Sequence, residues 1–571
     1  MMSMKSVTDL DQEYLEQLAR LRPEVCLDLG SKLPSGELIP VTHEVRHDYI
    51  QRAKEWLAAR TTLTQQQQNV EPSSSIELDT QILEHATDYL SFSQLDLAHQ
   101  ETDPDLISAP ILMLTRIAFD QSSSADERYL NVSQGLRSLG TYLNKAREEV
   151  LSPDPILAEH AKHLCSCAQR FLQDLSAKVA QLTDHGLSTN VEREIQQAIP
   201  SADEALSLQQ QWLSELETVN TSACTGADQY HELLKKRLLE TNPSAILELS
   251  KSQIEAMRLE NVRIRKRAFA RATVDDLWSE VCAKESPLSV DEVIAWLGEL
   301  SEQVADFCLD SGQFPAMSND QVHLETVPAS LRDIIGHYHL SRPTFSNLKR
   351  SDFLISNPVD DPSLQYFCVA ELERIAAAEF YPGTHLFGVL STQMNSIARL
   401  GVPSGFLGSA SQLWATETTD GWAHFAEETM RELQFRDSPS SRLMIIRQVL
   451  IRSLQAWYDV SIHSKQTSPE EAIAGLQIHA GLSKQEARRS VIGILKEPSR
   501  AINHLHGKTA IQKLKRSTLK HWKGSYSDRG FHTFVLQAGA VPLRFLPSLL
   551  EEYSRFTASE GTMDHNITDL R

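Results

Sequence analysis

The sequence lacks several features that would place it in a familiar class. It contains no run of about 20 apolar residues, so no membrane span is predicted. The N-terminus reaches Asp9 and Asp11 without an apolar segment, and we therefore expect no signal peptide and a cytoplasmic protein. There is also no Gly-rich phosphate loop and no G-x-S-x-G elbow, which argues against a serine hydrolase of that type.

Cysteine motifs for metal or redox chemistry and an excess of basic residues are missing as well. Cys165-Ser166-Cys167 is the only close pair among the seven cysteines, and it fits neither a zinc ribbon nor a redox C-x-x-C motif. We expect buried, reduced thiols. The net charge of -21 argues against nucleic-acid binding, because phosphate contacts require a basic surface. The expected partner is therefore a small molecule or a short peptide, with neither nucleic acid nor membrane involved.

The sequence is rich in helical periodicity. Of its 571 residues, 41% are hydrophobic and 23% charged, as in ordinary globular proteins. Apolar residues recur at steps of three and four through most of the chain, which predicts a mainly α fold. Two polar stretches, Thr61–Ser75 and Pro200–Asp203, are predicted as breaks between helices. Between Pro315 and Pro358 the pattern changes, and residues 340–356 are predicted to hold a strand or two in a small β-containing insert.

We expect the chain to form two helical lobes. We expect residues 1–310 to form the first lobe. Residues 320–556 would form the second lobe and carry most of the functional site, followed by a loose polar tail over 557–571.

One stretch, residues 379–385, combines ionisable side chains with a predicted helix break. Pro382 cannot continue a helical hydrogen-bond ladder, and Gly383 permits a sharp change of direction. The helix that carries Glu379 is therefore predicted to kink or stop near Tyr381. His385 would then re-enter from the turn and face the same cavity as Glu379.

A second stretch places ionisable groups on one predicted helical face. Asp420, His424 and Glu427 stand at positions i, i+4 and i+7. Carboxylate oxygens and imidazole nitrogens are common ligands of divalent metals, so the face is suited to a metal site. A solvated face with ordinary helix-stabilising pairs is the alternative.

The order of these motifs resembles the bacterial family called domain of unknown function 885. Its central motif, H-E-x-x-P-G-H-H, is matched by Glu379, Pro382, Gly383 and His385, and its E-G-W-A-x-Y-A-E by residues 421–427. Further matches follow in order through Arg452, Asp459, His463, Pro498, Gly507, Phe531 and His532. The resemblance covers about residues 320 to the end. It implies a zincin-like, multi-helix architecture with a deep central cleft and a metallopeptidase-like activity.

The chain departs from the family motif where metal ligands are expected. Ala378 and Thr384 replace two of the motif's histidines, Asp420 replaces its glutamate, and His504 replaces a tyrosine. Because a catalytic zinc site has only three protein ligands, the loss of a histidine weakens it severely. The sequence therefore leaves two options open: zinc or another divalent metal held in a rearranged site, or no metal.

The resemblance also suggests roles for individual residues. Glu379 would be the general base, and His463 or His532 would donate a proton or stabilise an oxyanion. The implied metal ligands are His385, Asp420, His424 and Glu427. Substrate contacts would come from Tyr381, Arg452, Asp459 and His504, although a buried ion-pair network fits Arg452, Asp459 and His463 equally well.

Three functions remain open at this point. The first is hydrolysis of an amide bond in a short peptide or modified amino acid, with a rearranged metal site. The second is metal-independent acid–base chemistry on a small metabolite of a specialised pathway, by a lyase, isomerase, cyclase or hydrolase. The third is a catalytically inactive relative that only binds its ligand.

Overall fold

The structure is a computed structural model. It describes residues 6–21, 26–27, 33, 35–68, 74–97, 99–120, 123–183, 186–217, 223–269, 277–283, 286–287, 289–315, 321–341, 350–357, 366–392, 396–400, 415–522 and 526–560. Within these residues the fold is mainly α with one small three-stranded sheet, as the sequence predicted.

The first half of the chain is a series of amphipathic helices. Several begin at side-chain caps, among them a capping box in which Ser124 and Glu127 satisfy each other's backbone donors. The helices of this half are α1 (Val7–Leu21), α2 (His43–Gln68), α3 (Ser74–Ser91), α4 (Ser108–Phe119), α5 (Ala125–Arg147), α6 (Pro155–Thr183), α7 (Thr189–Glu215), α8 (Ala227–Lys236), α9 (Pro243–Ala268), α10 (Leu277–Ala283) and α11 (Val290–Ser311).

Two predicted breaks in this half are wrong. Residues 61–68 continue α2, where Thr61 and Thr62 donate hydrogen bonds to carbonyls four residues earlier and glutamines tolerate a helix. Helix α7 also runs through Pro200. Its buried residues on either side, Ala198 and Ala202, keep the helix packed although Pro200 lacks one backbone donor. Residues 69–73 of the first prediction lie outside the described part of the chain.

The predicted β-containing insert is confirmed as a three-stranded sheet with β3 at its centre. Strand β1 (Gln321–Val327) pairs with β3 (Arg350–Ser356) in parallel, and β2 (Tyr338–Ser341) pairs with β3 antiparallel. A short helix, α12 (Arg332–Ile335), lies between β1 and β2. Since alternate residues of a strand face the same side, Ser351, Phe353 and Ile355 point together from β3.

The remaining helices form the part of the molecule where the motifs lie. They are α13 (Val369–Ile375), α14 (Thr384–Thr392), α15 (Thr416–Glu432), α16 (Pro439–His463), α17 (Pro469–Ala480), α18 (Lys484–Lys496), α19 (Asn503–Trp522), α20 (Asp528–Ala538) and α21 (Leu546–Glu560). A π turn over Ala376–Phe380 extends α13.

One apolar core joins both ends of the chain. Buried residues of the first helices, such as Leu18 and Leu83, belong to the same cluster as Ile375, Trp422 and Phe531. The N-terminal helices therefore support the segment that carries the motifs. In the described residues, no helix is both long enough and apolar enough to cross a membrane.

Candidate active site

The predicted interruption near Tyr381 is confirmed. Helix α13 closes in the π turn, Tyr381 adopts an extended conformation with φ -122° and ψ 133°, and α14 starts at Thr384. Gly383 is required here, since a Cβ at this position would lie 1.9 Å from the carbonyl oxygen of Ala378. This close approach returns the chain toward the helix that it has just left.

The two motif-histidine positions that carry other residues in this chain contact each other. The methyl group of Ala378 is fully buried, and the Thr384 hydroxyl donates a 3.2 Å hydrogen bond to the Ala378 carbonyl. These residues therefore close the turn and offer no imidazole.

Glu379 is half-buried at the end of the π turn. The Tyr338 hydroxyl of β2 donates a 3.3 Å hydrogen bond to its Oε1 atom. The same tyrosine also interacts through its side chain with Arg374, five residues before Glu379. A π turn brings residues five apart onto adjacent positions, so Arg374 and Glu379 meet at one phenol.

His385 is fully buried between two hydroxyl groups. Its Nδ1 atom lies 2.7 Å from the Ser351 hydroxyl, and its Nε2 atom lies 3.2 Å from the Tyr381 hydroxyl. A neutral imidazole donates from one nitrogen and accepts at the other, so these contacts form a chain along which a proton can move.

Glu427 is a buried carboxylate between two guanidinium groups. Arg374 donates to its Oε1 atom at 2.6 Å, while Arg452 contacts both oxygens at 2.8 and 3.1 Å. Burial alone would raise the pKa of Glu427, but Arg452 and Arg374 outweigh burial and hold the pKa below its usual value. Arg374 also binds Glu371, so the ion pairs form a continuous network.

Asp420 and His424 face helix α19 instead. Asn503 donates to the Asp420 carboxylate at 3.0 Å, and the His504 Nδ1 atom donates to the Asp420 carbonyl at 3.1 Å. The His424 Nδ1 atom donates to the His504 carbonyl at 3.3 Å, but its Nε2 atom is buried and has no hydrogen-bond partner. Burial, aided by Arg452, lowers the pKa of His424 well below its ordinary value, and burial lowers that of His504 to about 4.

The motif glycines let two helices cross at close range. A Cβ on Gly421 of α15 would lie 2.5 Å from Gly507 of α19, and a Cβ on Gly507 would lie 2.0 Å from the Glu417 carbonyl oxygen. The Trp422 indole then donates to the Pro382 carbonyl at 2.8 Å, which ties α15 to the turn before α14.

Asp459 and His463 lie further along α16 and bind other elements. Asp459 accepts from the Tyr230 hydroxyl and from the Ser499 amide, and burial raises its pKa to about 6. His463 accepts from the Thr225 amide and donates to the Ile494 carbonyl, and burial lowers its pKa to about 4. Asp459 holds the loop at Ser499, and His463 holds the loop at Thr225. Neither side chain contacts Arg452 in the described hydrogen bonds.

His532 is enclosed by aromatic rings. It stacks on Phe314 at 4.8 Å between centroids, donates to the Gln313 carbonyl at 2.8 Å and accepts from Lys515 at 3.4 Å. Burial lowers the pKa of His532 to about 4. The catalytic roles of His463 and His532 stay predictions.

The predicted metal ligands do not converge in the described residues. Among His385, Asp420, His424 and Glu427, no three ligand atoms lie within 4.8 Å of one another. Both nitrogens of His385 face hydroxyls, and both oxygens of Glu427 face arginines. The set as folded does not fit a metal ion.

A different cluster in the described chain does bring three such atoms together. It consists of His163 and Cys167 on α6 and Asp333 on α12. Two of its members already contact arginines, since Arg489 contacts Asp333 at 2.6 Å and Arg170 donates to Cys167 at 3.2 Å. His163 in turn pairs with Asp333 at 2.6 Å, so these polar side chains satisfy one another as folded.

A small pocket that opens to solvent lies beside the ion-pair network. Arg374, Ala377 and Glu427 form one wall, and Met430 and Phe435 add apolar surface. Its other charged lining residues are Glu373, Arg431, Arg436 and Asp437.

Comparison with known proteins decides the family. The model of the family described as bacterial protein of unknown function, DUF885, matches residues 23–550. The chain belongs to this family. No curated protein matches it.

Solved structures of similar fold support the same architecture. The DUF885 chain is similar to a "putative lipoprotein of unknown function" from Shewanella oneidensis, with a TM-score of 0.70 and 16% identity over 96% of this chain and 100% of that one. It is also similar to a "putative lipoprotein" from Colwellia psychrerythraea, with a TM-score of 0.73 and 15% identity over 97% and 100% of the two chains. At this identity the likeness concerns the fold alone.

Sequence reasoning missed three residues of this DUF885 site. Tyr338 and Ser351 come from the sheet, and Arg374 precedes the motif by one π turn. Nothing in the sequence indicated that Arg374 and Glu379 would meet, because residues five apart lie on roughly opposite sides of an ordinary α-helix.

Proposed function

We propose that the protein is a metal-independent acid–base enzyme that acts on a small molecule, with Glu379 as the proton acceptor. The observation that carries the proposal is the meeting of Glu379 and Arg374 at the Tyr338 hydroxyl. π turns within α-helices occur frequently at functional sites, and this one delivers a carboxylate to a fixed position.

The position of Glu379 suits proton transfer. Glu379 is half-buried, so it keeps some contact with solvent while the protein limits its movement. The Tyr338 hydrogen bond orients one of its oxygens, and the buried network of Arg374, Glu427 and Arg452 holds that tyrosine in place. An oriented base of this kind accelerates proton abstraction from a substrate or from water.

The chain of Tyr381, His385 and Ser351 supplies a second proton path. In the proposed reaction the Tyr381 hydroxyl returns a proton to the leaving group or product. The Ser351 hydroxyl holds His385 through its other nitrogen, and Tyr381 regains its proton from solvent water as Glu379 returns the abstracted proton to water. This arrangement supports general acid catalysis two residues after the base.

The nearby pocket supports the substrate class. Side chains of both signs line it, including Arg374, Arg431 and Asp437. Mixed charges recognise a molecule that carries an amine and a carboxylate. We therefore infer that the substrate is a short peptide or modified amino acid.

The proposal is tested by turnover on defined probes. The purified chain, treated with a chelator, is incubated with a panel of dipeptides, N-acyl amino acids and amino-acid amides, and products are identified by mass spectrometry. The Glu379→Gln variant should lose turnover by about a hundredfold or more, the usual contribution of a general base. Glu428→Gln, another half-buried glutamate, is the matched control and should retain activity.

The outcomes separate the alternatives. Equal turnover in the chain and in Glu379→Gln would overturn the proposal. Binding of a probe without turnover, unchanged in Glu379→Gln, would instead support a catalytically inactive binding relative.

A metal-dependent amide hydrolase is the second candidate. It is favoured by one observation, the buried Nε2 atom of His424 that has no hydrogen-bond partner. A ligand set would require Glu427 or His385 to leave its present partners, so no step through a metal is derived. Turnover that appears only after zinc is added, and disappears in His424→Ala, would support this candidate.

The cytoplasmic location stays a prediction. The two similar structures are described as putative lipoproteins, which favours testing an envelope location as well. Cell fractionation of the natural host with cytosolic and membrane markers would decide between the two.

A further inference from the structure

Two cysteines from distant parts of the chain meet near the start of α13. The Sγ atoms of Cys282 and Cys368 lie 3.5 Å apart, and the Cys368 thiol donates to Cys282. Cys282 lies on α10 and is half-buried, whereas Cys368 directly precedes α13 and is buried. They are separated by 86 residues in sequence.

We propose that Cys282 and Cys368 are a redox modification site that forms a reversible disulfide with a low-molecular-weight disulfide as oxidant. The sulfur atoms need to approach by less than 2 Å, because a disulfide bond is about 2 Å long. Since both residues lie at the ends of short helical segments, side-chain rotation and a small shift of α10 bring them together.

The pair has an attacking and a resolving member. The hydrogen bond from Cys368 favours the Cys282 thiolate, burial opposes it, and Arg447 favours it again, so that the pKa of Cys282 falls below its ordinary value. The contrast with other described cysteines is clear, because burial raises the pKa of Cys165 and of Cys308 to about 12.

The chemistry balances as two thiol–disulfide exchanges. The Cys282 thiolate attacks one sulfur of the oxidant, its S–S bond breaks, and one small thiolate leaves and takes up a proton. The Cys368 sulfur then attacks Cys282 Sγ as its thiol loses a proton, and the second small thiolate leaves and takes up a proton. Two protein thiols are oxidised to one disulfide, and one small disulfide is reduced to two small thiols.

The crosslink would fix the segment that leads into the candidate site. The Cys368 carbonyl accepts from the amides of Glu371 and Leu372, and so begins α13. Arg374 lies on the same helix and holds Glu427. An effect of oxidation on turnover rests on the proposed function, whereas formation of the disulfide does not.

The experiment uses the full chain and oxidised glutathione as the probe. After incubation, free thiols are alkylated, and the digest is analysed by mass spectrometry without reduction. We expect a peptide that links Cys282 to Cys368, its loss on reduction, and a higher melting temperature of the oxidised chain, because a crosslink restricts the unfolded state.

Matched variants complete the design. Cys308→Ser, another described cysteine, should leave the linked peptide unchanged, whereas Cys282→Ser should abolish it and leave Cys368 alkylated. A mixed disulfide that persists on Cys282 while Cys368 remains free would overturn the proposal. So would a chain in which Cys165 or Cys167 reacts before Cys282.

Discussion

At the scale of single residues, the surroundings of each acidic motif residue depend on the side chains that the fold places beside it. Glu427 stands on a helical face that suits a metal, yet Arg374 and Arg452 neutralise it. Glu379 meets a phenol and stays half-buried. This difference is the basis of our proposal that Glu427 holds the site together and that Glu379 takes part in the chemistry.

The first prediction concerns the buried charge of Glu427. Glu427→Gln should lower the free energy of unfolding by about 3 to 5 kcal/mol, because it leaves two buried guanidinium groups without their carboxylate. The adjacent Glu428→Gln should cost less than about 1 kcal/mol, since Glu428 is half-buried. Denaturant unfolding checks both, and equal effects would contradict this account of Glu427.

The second prediction concerns the orientation of Glu379. Tyr338→Phe should reduce kcat about tenfold and move the acid limb of the pH–rate profile upward, because the carboxylate loses a donor that favours its ionised form. Tyr366→Phe removes a hydroxyl from a ring that stacks on His337, and it should leave the pH–rate profile in place. Loss of stability with an unmoved profile in Tyr338→Phe would limit that residue to a structural role.

At the scale of elements, the crossing of α15 and α19 explains why two motifs carry glycine. Gly421 and Gly507 touch backbone to backbone, so that the helices approach more closely than side chains would allow. The crossing sets the position of Trp422, which binds the turn before α14. The packing of two helices thereby positions the turn that follows Glu379.

The third prediction tests this crossing. Gly507→Ala should destabilise the protein by about 1 to 3 kcal/mol, because its methyl group would overlap the Glu417 carbonyl. Gly493→Ala is the control: nothing lies within 4 Å of the added Cβ on α18, and alanine should stabilise a helix by about 0.5 to 1 kcal/mol. Thermal unfolding of both variants checks the sign, and a neutral Gly507→Ala would contradict the close contact.

Local chemistry allowed several of these elements to be predicted. Pro382 and Gly383 indicated the end of the helix near Tyr381, and prolines marked the insert that became the sheet. The partners of the site could not be predicted, because Tyr338 and Ser351 reach Glu379 and His385 across tertiary contacts. The same limit applies to metal binding: helical spacing placed three donors on one face, but only the fold shows that they bind different neighbours.

At the scale of the whole molecule, a set of buried and half-buried histidines links stability to pH. Burial lowers their pKa values to about 3 or 4, compared with 6.5 in an unfolded chain. They are His99, His160, His337, His463, His504, His506 and His532. Because the unfolded state binds their protons first, it is favoured as the pH falls.

The fourth prediction follows from this linkage. The stability that these histidines contribute is present above about pH 6.5 and is lost as the pH falls through about 4. Glu417 and Asp459 have pKa values raised to about 7 and 6, so they stabilise the folded state as the pH falls. They are fewer than the histidines. The denaturation midpoint should therefore be lower at pH 5 than at pH 7.5, and a constant or rising midpoint would contradict the prediction.

The fifth prediction concerns metal content. Protein purified without a metal-affinity tag should hold far less than one zinc ion per chain by elemental analysis, because arginines and hydroxyls engage Glu427 and His385. Bound zinc that is lost in His424→Ala would contradict this expectation. Zinc that is lost only in Cys167→Ser would assign the ion to the cluster with His163 and Asp333.

The π turn also makes the geometry of the candidate site sensitive to the deletion of a single residue. Its loop of hydrogen bonds contains one residue more than an α-helical turn, so removal of a single alanine from residues 376–378 would restore an ordinary helix. Glu379 would then rotate by roughly 100° about the helix axis and leave Tyr338. An in-frame deletion of one codon would thus separate Glu379 from Tyr338 while every ionisable side chain remained in the sequence.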